Sequence, residues 1–182
     1  MPKKLFFLII IFCLLVSIVK AQSILTKRTF EASVSASFQL FSENDNTETF
    51  INIPLRLGFF ITPRWEVEGE FAITKPQSGD AGFILSGLLS YNFRTPGGIM
   101  PFAFAGYGVT NSVPVITNNV VASIPDATLG VLSLGGGVKI PIGSKAALRS
   151  EYRFQNFTGS QGNADIDFQV HSLFTGVSLF LP

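Results

Sequence analysis

The sequence predicts an all-β fold, an eight-stranded antiparallel up-and-down β-barrel that spans a membrane. Apolar and polar residues alternate with period two in eight segments, as they do in strands whose two faces meet different surroundings. The connections between these segments are alternately short and long. The composition agrees, because 47% of the 182 residues are apolar, only 14% are charged and Phe occurs 19 times. Such a chain has too few polar residues to cover a water-facing surface, and it suits a surface that meets lipid.

The amino-terminal residues have the pattern of a secretory signal. Lys3 and Lys4 precede an apolar run that ends at Val19 and is interrupted only by Ser17, and the small residue Ala21 follows shortly after. This order is typical of signal peptides. The alternative is a retained transmembrane anchor, but the run is shorter than the roughly 20 apolar residues that a spanning helix needs. We therefore predict a cleaved signal peptide at residues 1–21 and one barrel domain at residues 22–182.

Cysteine content and charge exclude other classes. The single cysteine, Cys13, lies within the predicted signal, and bulky Phe12 precedes it where a lipoprotein signal needs a small residue. The mature chain is therefore expected to lack disulfides. Without the three lysines of the signal, ten basic and twelve acidic residues remain. This balance predicts no nucleic-acid partner, which would require a basic face.

The opening strand shows the alternation most clearly. Phe30, Ala32, Val34, Ala36, Phe38 and Leu40 share one face, while Glu31 and a series of Ser residues share the other. The segment around residues 99–109 is apolar on both faces, so its orientation stays open. Phe174 and Phe180 oppose the apolar face chosen for the last strand. The apolar faces of the other segments are Ile51, Ile53, Leu55, Leu57 and Phe59; Trp65, Val67, Gly69, Phe71 and Ile73; Phe83, Leu85, Gly87, Leu89, Tyr91 and Phe93; Leu132, Leu134, Gly136, Val138 and Ile140; Leu148, Ser150, Tyr152 and Phe154; and Leu173, Thr175, Val177, Leu179 and Leu181.

The connections predict which end of the barrel is which. Short turns rich in Pro, Gly and Ser are expected at residues 61–64, 94–98 and 142–145. Longer polar loops are expected at residues 41–48, 75–80, 110–127 and 155–164. Three short turns and four long loops fit eight up-and-down strands with both termini on the turn side. Bacterial outer-membrane barrels place such turns in the periplasm and the long loops outside.

Charge placement separates a membrane barrel from a soluble barrel with an apolar interior. Arg or Lys facing lipid at the bilayer midplane costs about 2–4 kcal/mol, whereas a soluble monomer does not tolerate a wide apolar belt on its surface. Nine charged residues fall on the polar faces, and five acids with four bases can nearly neutralise one another. We predict that they form a charge network in the lumen: Glu31, Arg56, Glu66, Glu68, Glu70, Lys139, Arg149, Glu151 and Arg153.

Aromatic residues on the apolar faces gather near the two ends of the strands. Membrane proteins carry such girdles where the rings meet lipid headgroups, although aromatic residues also favour strands in general. We predict one girdle at the periplasmic rim, formed by Phe30, Phe59, Trp65, Tyr91 and Phe93, and one near the outer rim, formed by Phe38, Phe83 and Phe154.

Several stretches of the mature chain resemble the eight-stranded outer-membrane β-barrel family that includes the transmembrane domain of outer-membrane protein A. The stretches are residues 57–70 (LGFFITPRWEVEGE), 91–93 (YNF), 101–108 (PFAFAGYG), 135–138 (GGGV) and 148–154 (LRSEYRF). The resemblance covers the whole mature chain and implies the same barrel fold. The family usually ends in an aromatic residue that the barrel-assembly machinery reads, whereas this chain ends in Phe180-Leu181-Pro182.

A search for catalytic or metal-binding residues gives no site. His171 is the only histidine. The residues that follow His171 match the His-x-Ser arrangement of the lipid A deacylase type of barrel poorly. We therefore interpret His171 as a hydrogen-bonding residue of the lumen. Glu66, Glu68 and Glu70 are expected to pair with arginines rather than to bind metal. The Gly135–Gly137 run lacks the Lys-Ser/Thr of a phosphate loop and is expected to let bulky neighbours approach. The sequence predicts no catalytic residue, no metal and no cofactor.

Three hypotheses on function follow. The first is a structural or surface-interaction protein of the outer membrane whose extracellular loops contact an unknown surface partner. The alternative is a narrow porin-like channel for ions or small solutes, which a side-chain-filled lumen disfavours. The third, an enzyme acting on lipid, depends on the poorly placed His171. The expected partners are outer-membrane lipid and the barrel-assembly machinery, and the expected state is a monomer.

Overall fold

The computed structural model describes residues 28–43, 46–76, 81–95, 98–111, 114–117, 120–123, 129–161 and 164–181. The predicted signal peptide lies outside these residues. In the described part of the chain, no helix is long and apolar enough to cross a membrane.

Eight strands close into one antiparallel barrel, which confirms the predicted fold class. Around the barrel the order is β1, β10, β9, β8, β5, β4, β3 and β2, and β1 closes it by pairing with both β10 and β2. Strands β6 and β7 form a separate two-stranded sheet. The strands are β1 (Phe30–Glu43), β2 (Asn46–Phe60), β3 (Trp65–Pro76), β4 (Gly82–Asn92), β5 (Met100–Thr110), β6 (Pro114–Thr117), β7 (Val120–Ser123), β8 (Leu129–Pro141), β9 (Ala146–Gln161) and β10 (Ala164–Leu181).

Short connections join β2 to β3, β4 to β5 and β8 to β9 at one end of the barrel, which we call the turn end. The turn before β3 is closed by Thr62, whose hydroxyl oxygen accepts hydrogen bonds from the backbone N–H of Arg64 at 3.2 Å and of Trp65 at 2.9 Å. In the turn before β9, the N–H of Ile142 donates to the carbonyl of Ala146 at 2.9 Å. Such side-chain and backbone hydrogen bonds hold the adjoining strand ends tightly together.

At the opposite end, the loop end, the strands run further than the sequence predicted. Residues 41–43 and 46–48 remain paired in the β1–β2 hairpin, and residues 155–161 remain paired with β10. Residues 110–127 include the β6–β7 hairpin. The predictions of polar loops at 41–48 and 155–164 were wrong for most of their residues, which belong to strands. Pairing with the neighbouring strand continues through these polar segments and outweighs their low strand propensity.

The two barrel faces have opposite chemistry. Along β3, Glu66, Glu68 and Glu70 point inward and are buried, while Val67 and Phe71 point outward and are exposed. On β5, whose orientation the sequence left open, Phe102 and Phe104 point inward and Tyr107 points outward. On β10, Leu173 and its alternate neighbours face outward, and Phe174 and Phe180 face the lumen. An outer surface of Leu, Val, Ile and Phe requires an apolar surrounding, and the inner surface is polar.

This outer surface predicts a strong effect of a charge placed at its middle. Leu55 lies midway along the outward face of β2, and Leu55→Arg is expected to lower the free energy of unfolding by about 2–4 kcal/mol, because a guanidinium facing hydrocarbon loses its hydration. Guanidinium titration of the barrel in lipid vesicles measures this change.

The matched control is Ile61→Arg. Ile61 is exposed in the turn before β3, where a cation can reach water, so its substitution should change the free energy of unfolding by less than about 1 kcal/mol. Equal effects at both positions would contradict a lipid-facing surface.

Candidate functional site in the barrel lumen

The lumen is the most distinctive feature of the barrel, because charged side chains fill its centre. Each of the nine residues predicted to form a charge network points inward, and none is more than 3% exposed. They come from five strands: Glu31 on β1, Arg56 on β2, Glu66, Glu68 and Glu70 on β3, Lys139 on β8, and Arg149, Glu151 and Arg153 on β9. Period-two alternation places same-face residues roughly 7 Å apart along one strand. The structure brings all nine together.

Arg56 connects opposite sides of the barrel. Its two terminal nitrogens donate to the two carboxylate oxygens of Glu151 at 2.8 and 2.6 Å, which is the bidentate geometry that a guanidinium and a carboxylate favour. Its Nε donates to Glu70 at 2.5 Å. The side chain thereby links β2 to its neighbour β3 and, across the lumen, to β9.

A second bidentate pair lies nearer the loop end. Arg153 donates from Nη1 and Nη2 to the two oxygens of Glu70, both at 2.8 Å, and Nη2 also donates to Glu151 at 2.7 Å. Glu70 and Glu151 are thus each shared by Arg56 and Arg153. The four side chains form a closed cycle of ion pairs, in which each charge has two partners of opposite sign.

Towards the turn end, Arg149 and Lys139 extend the network. Arg149 donates to Glu31 and to Glu68, both at 3.1 Å, and to Glu151 at 3.0 Å. Lys139 donates to Glu31 at 2.6 Å and to Glu66 at 2.9 Å. All nine charged residues therefore belong to one continuous network.

Neutral polar residues satisfy further oxygens of the network. Ser178 on β10 donates to Glu31 at 2.7 Å, Ser90 on β4 donates to Glu68, and Asn92 on β4 donates to Glu66 at 3.2 Å. Buried charges are tolerated only when their hydrogen-bonding capacity is largely used. These three residues show no distinctive sequence signal beyond their position on an inward face.

Aromatic rings in the lumen lie against the cations. The guanidinium carbon of Arg149 is 4.5 Å from the ring centre of Phe102, and that of Arg153 is 4.6 Å from the ring centre of Phe174. Such cation–π contacts stabilise a charge without adding another. Sequence patterns alone did not place these rings in the lumen; the available signal was that Phe102 and Phe104 share one face of β5 and that Phe174 and Phe180 lie opposite the apolar face of β10.

A glycine on β8 makes room for a lumen ring. Gly135 and Gly137 point into the lumen opposite Phe104 and Phe102 of the neighbouring strand β5. A Cβ atom added to Gly135 would lie 2.5 Å from Cζ of Phe104, which is closer than real atoms approach. Gly135 thus leaves room for the ring of Phe104, whereas a Cβ atom at Gly137 would meet the main chain of Ser150 and Glu151 on the other neighbouring strand, β9.

Two apolar layers close the lumen. At the turn end, Phe60, Met100, Ala147 and Phe180 pack together. At the loop end a second cluster contains Ala72, Ile84, Leu129, Val131 and Phe157, and Phe168 and Val170 pack against it. The charge network therefore lies between two apolar clusters and is cut off from water at both ends.

Ion pairs account for most of the carboxylate oxygens in the lumen. The lumen carboxylates are occupied by guanidinium and ammonium groups, and among the described residues no group of three or more His, Cys, Asp and Glu is placed to hold a metal ion. Three atoms of charged groups in the described lumen have no hydrogen-bond partner: Oε1 of Glu66, Nη2 of Arg149 and Nε of Arg153.

His171 does not belong to the lumen, so the interpretation of this residue as a lumen hydrogen-bonding group was wrong. It is exposed on the outward face of β10, and its Nδ1 and the hydroxyl of Tyr152 are hydrogen-bonded at 2.5 Å. The ring centre of Phe154 is 5.2 Å away. An unbroken period-two pattern places position 171 on the same face as Leu173, and this register outweighs the polarity of the side chain.

The predicted girdle residues all point outward. At the turn end, Trp65 packs against Tyr91 and Tyr91 against Phe93, each pair with ring centres 4.9 Å apart. Phe30 and Phe59 form a further pair at the same end, also at 4.9 Å. Towards the loop end, Phe38 and Phe83 are exposed and Phe154 is half-buried against His171. The turn-end rings contact one another, whereas the contacts described for the loop-end rings do not join them to each other.

A closed antiparallel barrel with an apolar exterior and a charged, filled lumen defines the class of small transmembrane β-barrels. A profile of the outer membrane protein β-barrel domain matches residues 9–178. The chain belongs to this family, and its location is the outer membrane.

Solved structures share the fold. Neisserial surface protein A has 15% sequence identity and a TM-score of 0.62, with 83% of this chain and 96% of that chain covered. The N-terminal β-barrel domain of Pseudomonas aeruginosa OprF also has 15% identity, with a TM-score of 0.59 and 85% and 98% coverage. A de novo designed transmembrane β-barrel has 13% identity and a TM-score of 0.54, with 86% and 98% coverage. No curated protein matches the sequence significantly.

The network predicts that a single uncompensated charge is costly. Arg56→Met removes one cationic partner of both Glu70 and Glu151 and leaves the network with an excess of negative charge, while keeping an unbranched side chain. We expect the free energy of unfolding to fall by about 3–5 kcal/mol. Denaturant titration in vesicles measures the loss.

Lys145→Met serves as the control, because Lys145 is exposed in the turn before β9 and its loss should change the free energy of unfolding by less than about 0.5 kcal/mol. A loss for Arg56→Met as small as that for the control would show that the network does not hold the barrel together.

Proposed function

We propose that this protein is a structural and surface-interaction barrel of the outer membrane without a permanent pore, which presents its loop end to the outside. One observation carries the proposal: the charge network fills the lumen between two apolar layers. An ion entering from the turn end would have to displace Phe60 and Phe180, and one entering from the loop end would have to displace Ile84 and Phe157.

The shape of the loop end supports a role in contact with partners. The β9–β10 hairpin extends beyond the start of β8, and its outward face changes from apolar to polar towards the hairpin tip. Leu173 is 72% exposed on the apolar part, whereas Gln169, Asp167 and Asp165 are exposed on the part nearer the hairpin tip. A polar outward face suits water and not lipid, so this part of the hairpin projects from the bilayer in our proposal.

The alternative function, a narrow channel, is favoured by one observation only. The polar side chains run continuously through the middle of the lumen, from Glu66 near the turn end to Gln155 near the loop end. Rearrangement of the ion pairs together with both apolar layers would open a narrow polar path.

Planar-bilayer conductance separates these two functions. The refolded chain, shown to be a closed barrel by a mobility difference between boiled and unboiled samples, is expected to give no discrete openings, because the lumen is filled. A porin in the same bilayers is the positive control.

Discrete, salt-dependent openings of the folded chain would overturn the proposal and favour the channel. In that case Arg149→Gln, which removes a cation from the middle of the lumen, should change the size or ion selectivity of the openings.

The orientation and the cleaved signal can be tested with introduced cysteines. If residues 1–21 are removed, the mature chain lacks Cys13 and has no cysteine of its own, so a single new cysteine reports its own position. Thr158→Cys in the β9–β10 hairpin should react with a membrane-impermeant maleimide in intact cells, whereas Ser144→Cys at the turn end should react only after lysis.

Both positions are exposed, so burial does not account for a difference in labelling between them. Labelling of Ser144→Cys alone in intact cells would contradict the orientation. The mass of the purified protein tests the signal separately, since cleavage predicts a chain that begins at Gln22.

A further inference from the structure

The turn end carries a ring of basic side chains. Four connections or chain ends meet there, and each holds one exposed cation: Arg28 before β1, Arg64 before β3, Arg94 after β4 and Lys145 before β9. The order of strands around the barrel spaces these four residues around the whole rim. Neither the charge network nor the proposed loop-end role uses them.

Backbone hydrogen bonds fix the main chain at or next to each of these four residues. The N–H of Arg28 donates to the carbonyl of Phe60 at 2.9 Å, the carbonyl of Arg64 accepts from the N–H of Asn92 at 2.7 Å, and the carbonyl of Lys145 accepts from the N–H of Phe180 at 2.8 Å. Next to Arg94, the N–H of Phe93 donates to the carbonyl of Pro101 at 2.8 Å. The ring is therefore part of the ordered barrel end.

The acidic residues outside the lumen have the opposite distribution. None of the turn-end segments 28–29, 61–64, 93–99 and 142–145 contains Asp or Glu in its sequence. Asp165 and Asp167 are exposed on the β9–β10 hairpin at the loop end. The acidic residues that belong to loop-side segments of the sequence are Glu43, Asp45, Glu48, Asp80, Asp126, Asp165 and Asp167. In the described turn-end segments, basic residues therefore outnumber acidic ones, and the exposed acids of the described chain lie at the loop end.

The depth of the ring relative to the bilayer follows from its aromatic neighbours. Nη1 of Arg64 donates to the hydroxyl of Tyr91 at 3.3 Å, and Tyr91 packs against Trp65 and Phe93. Trp and Tyr on a membrane protein's outer surface lie at the level of the lipid headgroups. A cation immediately beyond these rings lies at the level of the headgroup phosphates, which attract Lys and Arg near the surface.

We propose that this ring binds the headgroups of anionic phospholipids in the leaflet at the turn end. The ligand is a lipid with a net negative charge, since a zwitterionic headgroup carries its own cation and competes less well for the guanidinium. This inference depends on the outer-membrane location of the chain and not on the role proposed for its loops.

Trp65 provides a local measurement, because it is the only tryptophan, is 42% exposed and follows Arg64 directly. The full barrel is reconstituted in vesicles that contain a brominated phosphatidylglycerol in unlabelled phosphatidylcholine, or a brominated phosphatidylcholine in unlabelled phosphatidylglycerol. Quenching of Trp65 fluorescence then gives the preference for anionic over zwitterionic lipid at this position. We expect about a fivefold preference at low salt, falling towards one in 0.5 M NaCl as the charges are screened.

Two variants with the same loss of charge locate the effect. Arg64→Gln is expected to bring the preference at Trp65 close to one. Lys145→Gln is expected to leave it nearly unchanged, because β9 lies across the barrel from β3. The boiled-versus-unboiled gel shift confirms that each variant is folded.

The absence of any preference in the unsubstituted barrel would overturn the proposal. An unchanged preference in Arg64→Gln, or an equal decrease in both variants, would overturn it as well, since the first excludes Arg64 and the second indicates a diffuse charge effect. If Arg64→Gln does not fold, the salt titration of the unsubstituted barrel decides, and a preference that persists in 0.5 M NaCl then counts against the ring.

Discussion

Mutual neutralisation of buried charges is the constraint on which the rest of this structure depends. Five carboxylates and four cations lie inside a barrel whose exterior faces hydrocarbon, and isolated ions in that position would be very costly. The ion pairs between these groups make the fold possible and also determine the register of the strands. A one-residue shift of β3 against its neighbours would turn Glu66, Glu68 and Glu70 towards lipid and bring Val67 and Phe71 inside. The network therefore specifies the pairing of strands as much as it stabilises it.

The shape of the lumen follows from the same constraint. Eight strands enclose a space that side chains can just fill, and here Arg and Glu fill the centre while Phe fills the gaps beside the guanidinium groups. Gly135 on β8 compensates for the volume of the Phe104 side chain on β5. Apolar clusters lie at both ends, beside Lys139 at the turn end and beside the buried polar residues Asn52 and Thr74 at the loop end. The interior consequently resembles a soluble protein core in its packing, with its polarity reversed.

Most of the architecture was predictable because lipid on the outside and a polar lumen on the inside impose a period-two alternation on each strand. Strands with Glu or Arg on one face and Leu or Val on the other, such as β3 and β9, gave their orientation directly. Strand β5 did not, since Phe and Ala on its two faces give no contrast; in the structure Gly135 leaves the space that the Phe104 ring occupies in the lumen. The polarity of His171 also led to a wrong prediction of a lumen position. The side chain faces outward because the alternation of β10 continues unbroken through this residue. The hairpin extensions at the loop end escaped prediction because polar strands and polar loops have similar composition.

The sequence positions of the lumen charges bear on how the barrel assembles. The first four strands contribute four carboxylates and one guanidinium, whereas β8 and β9 contribute three cations and one carboxylate. Partners such as Arg153 and Glu70 are 83 residues apart in the chain. An unclosed sheet made of either half alone would hold an excess of one sign of charge in an apolar membrane, while the two halves attract each other. Closure is therefore the step that neutralises the lumen, and the chain is divided into two electrostatically complementary halves that become stable in the bilayer only together.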